Sequence, residues 1–130
     1  MPRSLTVSIA DDEPLTRQVL DRILAALGHR VLNAAENGQQ FIEQCRRQAP
    51  DLAIIDLEMP MLDGLATAEE LRAISSIPII LLSGHPDFHQ VVRQQEPIDV
   101  YLPKPVTLGV LQAAIERAVA PTGCTKRGRK

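Results

Sequence analysis

The sequence predicts an α/β domain with a five-stranded parallel sheet and helices on both faces. Three observations carry this. Short apolar runs alternate five times with helical stripes, the connections are only a few residues long, and two of the runs are apolar throughout. Alternating strands and helices with short links call for parallel pairing through right-handed crossovers, which winds the chain on both sides of the sheet. Strands buried on both faces lose the apolar–polar alternation, as residues 52–55 and 77–82 do.

The first strand is read at residues 5–10, ending at Asp11-Asp12-Glu13-Pro14. Pro14 suits the first turn of a helix, where its missing N–H costs nothing. Leu15, Val19, Ile23 and Leu27 then recur every four residues, and Gly28 stops the helix. A weaker second strand covers residues 30–35, and Asn37-Gly38 turns the chain. Phe41, Ile42, Cys45 and Ala49 form the next helical stripe, before Pro50. The third strand ends abruptly at Asp56, and a loop with Pro60 and Gly64 leads to a helix marked by Leu65, Ala68, Leu71 and Ile74. After the fourth strand comes Ser83-Gly84-His85-Pro86, then a poorly marked helix near residues 87–95. A short fifth strand at residues 99–102 is broken by Pro103-Lys104-Pro105, and Thr107 can cap a last helix carrying Leu108, Leu111, Ile115 and Val119.

Open parallel sheets bind ligands at the carboxyl ends of their strands. There the chain places Asp11, Asp12 and Glu13, then Asp56, Ser83 and Lys104. In a flavodoxin-like order (2-1-3-4-5) strands one and three are neighbours, so Asp11 or Asp12 lies beside Asp56. Carboxylates that close repel one another unless a cation joins them, and Mg2+ takes oxygen ligands. Lys104 brings a compact positive charge and Ser83 a hydroxyl. These parts suit phosphoryl transfer to Asp56, because a carboxylate can form an aspartyl phosphate and the reaction mainly demands positioning and charge neutralisation.

Together these residues resemble the receiver domain of two-component response regulators. Asp11-Asp12-Glu13-Pro14 looks like its acidic pair, and Asp56-Leu-Glu-Met-Pro60-Met-Leu-Asp63-Gly64 looks like the segment around its phosphorylated aspartate. Ser83 falls at the family's Thr/Ser, Tyr101 at its switch aromatic, and Lys104-Pro105 at its Lys-Pro pair. Val106 stands where the family commonly has an aromatic. The resemblance implies that Asp56 takes a phosphoryl group from a sensor histidine kinase or a histidine phosphotransfer protein. It also implies that Asp12 and Asp56 hold Mg2+, with Asp11 partly through water and the backbone carbonyl of Glu58 completing the set. Lys104 would pair with the phosphoryl group, Ser83 would turn toward it, Tyr101 would move inward, and the Lys104–Pro105 peptide would be cis. The switched surface would comprise the fourth predicted helix, the fifth strand and the last helix, meeting a downstream effector or a second copy as a homodimer. Such a domain is a signalling phosphoacceptor, catalysing only its own phosphorylation and dephosphorylation.

Composition bounds the alternatives. A chain of 130 residues fits one domain, read here as residues 1–120 with a basic tail or linker at 121–130. Lys126, Arg127, Arg129 and Lys130 lie in that tail, leaving the body ten basic residues against sixteen acidic ones. An acidic body does not suit the nucleic-acid backbone. No apolar run spans a bilayer, and no signal peptide is evident. Cys45 falls on an apolar helical face and reads as a reduced core thiol of a cytoplasmic protein. His85 and His89 have Pro86 between them and no third ligand, so zinc is not expected. A Mg2+-dependent hydrolase would need a substrate-binding insertion, which the short loops lack. A cofactor-binding flavodoxin-like module would need a phosphate loop after the first strand, where Asp11, Asp12 and Glu13 would repel a phosphate.

Overall fold

The computed structural model describes residues 4–59, 63–84 and 99–119. Five strands, β1 (Thr6–Ala10), β2 (Arg30–Ala35), β3 (Leu52–Asp56), β4 (Ile79–Ser83) and β5 (Val100–Pro103), form one parallel sheet in the order β2-β1-β3-β4-β5. Between them lie α1 (Pro14–Ala26), α2 (Gly38–Arg47) and α3 (Gly64–Ile74), and a C-terminal helix spans Leu108–Val119. The helix expected near residues 87–95, His85 and His89, Pro60 of the third loop and the basic tail lie outside the described residues.

Successive residues of the central strands serve opposite faces, because side chains alternate along a strand. Ile54, Ile80 and Leu82 join Leu20, Leu24, Leu111 and Ile115 in one cluster. Ala53, Ile55, Ile79 and Leu81 join Phe41, Ile42, Cys45 and Leu71 in the other. β3 and β4 are buried at every position, which is why neither shows polar alternation in the sequence. β4 begins two residues later than the apolar run, after Pro78. Asp99 precedes β5 and fixes its start, accepting from the Ile79 backbone N–H at 2.8 Å and pairing with Arg72 at 3.3 Å.

The stripe read on α1 needs correction. Leu15 and Val19 are 66% and 43% exposed, while Leu20 and Leu24 are fully buried, with Ile23 and Leu27 packed against their cluster. A spacing of four residues overshoots the 3.6-residue turn by about 40° each step, so the row drifts off the core face. Asn37-Gly38 is also more than a turn. Asn37 caps α2, its side chain accepting from Gln40 N–H at 2.8 Å. Gly28 follows α1 at φ +89°, a conformation that favours glycine.

At the sheet end opposite the acidic loop, the Leu5 N–H donates to His29 Nδ1 at 3.1 Å. The ring must be neutral to accept, and burial lowers its pKa. A His with a lowered folded pKa contributes nothing adverse above its unfolded value, about 6.5, and costs stability as pH falls below it. His29→Gln should therefore lose less stability than wild type between pH 7.5 and 5, read by thermal melts. Parallel pH curves for the two chains would refute this.

Candidate functional site

The sheet ladders run one residue past three strands, and this builds the site. Asp11 N–H donates to Ala35 O at 3.0 Å, Leu57 N–H to Leu82 O at 2.7 Å, and Lys104 N–H to Ser83 O at 2.8 Å. Asp56 ends β3 at 2% exposure, opposite Leu82 of β4. Asp11 is equally buried beyond β1, its Oδ1 accepting from Glu13 N–H at 2.9 Å. Asp12 is exposed, yet its carboxylate and those of Asp11 and Asp56 offer oxygens within 4.8 Å of one another. From the far side, Lys104 Nζ reaches Asp56 Oδ1 at 3.1 Å and Asp11 Oδ2 at 3.2 Å. The Lys104–Pro105 peptide is cis, as expected.

Burial pushes the Asp56 carboxyl up to about 6, the Asp11 charge adds to this, and Lys104 opposes both. Burial works against the Lys104 ammonium as well, but Asp56 and Asp11 outweigh it and leave its pKa raised. Asp11 Oδ2 and Asp56 Oδ1 are buried with no aligned hydrogen-bond donor; Lys104 meets them only as a nearby charge. Buried carboxylate oxygens without donors are costly. One ammonium cannot balance three carboxylates, so this all-oxygen set fits a hard divalent cation such as Mg2+.

Around these groups, Ser83 is fully buried at the end of β4, and its hydroxyl donates to Glu58 Oε2 at 2.9 Å. Tyr101 is half-buried on β5 against the second cluster. Beside the site a groove of about 330 Å3 runs along Leu15, Val19, Lys104, Pro105 and Val106.

Two contacts escaped the sequence reading. Arg17 Nη1 donates to the Asp11 carbonyl at 2.7 Å, tying α1 to the acidic loop. A cation near a helix N-terminus works against the helix dipole, and that misfit was the available signal. The Glu58 side chain had none, since a carboxylate two residues from Asp56 reads only as added negative charge.

Comparison with known proteins bears on this arrangement. Residues 7–116 match the response regulator receiver domain family. The chain is 34% identical over 110 residues to the probable transcriptional regulator ycf27 of Porphyridium aerugineum, covering 84% of this chain and 45% of that protein. It is 34% identical over 117 residues to the DNA-binding transcriptional regulator NtrC of Escherichia coli, covering 88% of this chain and 24% of that protein. The chain thus spans less than half the length of these two relatives. A receiver domain structure from Clostridium thermocellum superposes with a TM-score of 0.81 at 28% identity, covering 90% of this chain and 95% of that one.

Proposed function

The chain belongs to the response regulator receiver domain family, and on that premise we propose that Asp56 is the phosphoacceptor of a two-component phosphorelay. The observation that carries this is a buried strand-end carboxylate facing two further carboxylates and an ammonium. The donor is a phosphohistidine of a sensor histidine kinase or a histidine phosphotransfer protein. An Asp56 oxygen bonds to phosphorus as the N–P bond breaks, and the electron pair returns to the donor imidazole. Asp11, Asp12, Asp56 and the Glu58 carbonyl are the residues that would hold Mg2+, which supplies charge neutralisation at the phosphoryl oxygens. Lys104 supplies the protein's own share of that neutralisation, and its contact with Asp11 keeps it in place before transfer.

A donor protein must cover the mouth of the site. The exposed Leu15 and Val19 and the groove beside Lys104 give it apolar surface there. Output passes through Ser83 and Tyr101 to the surface of β5, the C-terminal helix and the predicted fourth helix, which meets an effector or a second copy. A ligand shifts such a two-state surface only by its differential affinity for one state, here a bond from Ser83 to the phosphoryl group. The receiver unit is read as residues 1–120, of which residues 7–116 carry the family match, with 121–130 as a basic tail or linker. The domain acts as a signalling phosphoacceptor in the cytoplasm, with no part in nucleic-acid or membrane contact; among the described residues no helix is long and apolar enough to cross a membrane.

Incubation with acetyl phosphate and Mg2+ should add one phosphoryl group to the intact mass. Asp56→Asn or excess EDTA should abolish the addition. An equal yield on Asp56→Asn would overturn the assignment.

A further inference from the structure

Glu58 enters the reading above through its backbone carbonyl alone, but its side chain has business of its own. Asp56 lies opposite Leu82, and Leu57 N–H extends that ladder to Leu82 O, so Ser83, the last residue of β4, comes close to Glu58, two residues past the end of β3. There the exposed Glu58 accepts the hydroxyl of the buried Ser83 at 2.9 Å.

We propose that the Glu58 carboxylate is a positioning residue that holds the Ser83 hydroxyl in the unphosphorylated chain and competes for it with the phosphoryl oxygen. This rests on the phosphoacceptor reading of Asp56. A hydroxyl carries one proton and donates it to one acceptor at a time. A carboxylate is a strong acceptor, since a charge-assisted bond is about twice as strong as a neutral one. Ser83 can therefore serve a phosphoryl group on Asp56 only by leaving Glu58, and the cost of leaving opposes the switched state. Glu58 lies in an exposed loop position, so the competing bond can be removed without opening the core. The contribution of its carboxylate is conformational, made through Ser83. Removing the carboxylate favours the switched state before any phosphoryl group arrives, which a residue serving only to stabilise the loop would not do.

The test uses beryllofluoride with Mg2+, a mimic of the phosphoryl group on Asp56, on the full chain. Affinity is measured for wild type, Glu58→Gln and Glu58→Ala, each with Ser83 intact and with Ser83→Ala. Glu58→Ala should bind roughly tenfold more tightly, the size expected for losing a competing bond to a charged group. Glu58→Gln keeps an acceptor of reduced strength and should fall between. In the Ser83→Ala background both gains should vanish. A gain of equal size in that background would trace the effect to simple charge removal and overturn the proposal, as would the absence of any gain. If wild type takes up neither beryllofluoride nor a phosphoryl group from acetyl phosphate, the phosphoacceptor reading itself falls, and the competition with it.

Discussion

Replacing Gly64 by alanine should cost the fold about 3 kcal/mol, although in an ordinary helix interior the same change gains roughly 1 kcal/mol. Gly64 is the first residue of α3, and its N–H donates to Leu57 O at 2.8 Å. A Cβ there would run into the Asp56 carbonyl oxygen and Leu57 Cα, and would lie 2.9 Å from the Asp56 carbonyl carbon. These are backbone atoms at the end of a fully buried strand, so they cannot swing aside as a flexible side chain would. The clash therefore outweighs the gain in helix propensity. Because relief must come from the peptide that carries Asp56, phosphorylation by acetyl phosphate should fall together with the urea midpoint. A Gly64→Ala chain of wild-type stability would show that α3 does not press on β3 as described.

Asp56→Asn should have the opposite effect on stability while abolishing phosphorylation. In EDTA it should stabilise the chain by about 2–3 kcal/mol above pH 6, at about 1.4 kcal/mol for each tenfold change in proton affinity. The folded pKa, about 6, lies above the ordinary carboxylate value of 3.8. A group whose pKa rises on folding favours the fold while protonated, so its contribution is fully present below pH 3.8 and is lost as pH climbs through 6. Asparagine resembles the protonated form at every pH. Hence the two chains should melt alike below about pH 4, diverge between pH 4 and 6, and keep a constant gap above that. Lys104 keeps Asp11 as a partner in the variant, which limits the loss from the broken pair. Added Mg2+ should narrow the gap by relieving the wild-type carboxylates. Equal melting temperatures at pH 7.5 in EDTA would show that Asp56 carries no such penalty.

How much of this was legible in the sequence depends on what each residue answers to. The sheet order and the grouping of Asp11, Asp12, Asp56 and Lys104 could be read because strand-end positions follow from topology, and topology follows from the alternation of elements. The core face of α1 could not be read from a four-residue row, since Leu15 and Leu27 share the spacing but lie on either side of the drift. Which of the adjacent acids turns inward was equally hidden. Asp11 is buried because its N–H continues the β1 ladder to Ala35, and Asp12 then faces solvent. The Arg17 and Glu58 contacts belong to side-chain geometry across loops, where no periodicity constrains them. Gly64 was visible as a turn residue, but its reason, the nearness of the Asp56 backbone, is tertiary.

The ladders that overrun β1, β3 and β5 have a consequence for how the protein comes apart. Local opening usually begins in loops, whose amides have few structural partners. Here the first loop residue after each of those strands is held by a neighbouring strand, and β3 and β4 are buried along their whole length. Asp11 and Lys104 are thus tied by their own amides, and Asp56 by that of Leu57, to the strands of the sheet. Partial unfolding elsewhere, for instance fraying of the C-terminal helix, leaves the charge cluster intact. Losing it takes the sheet itself.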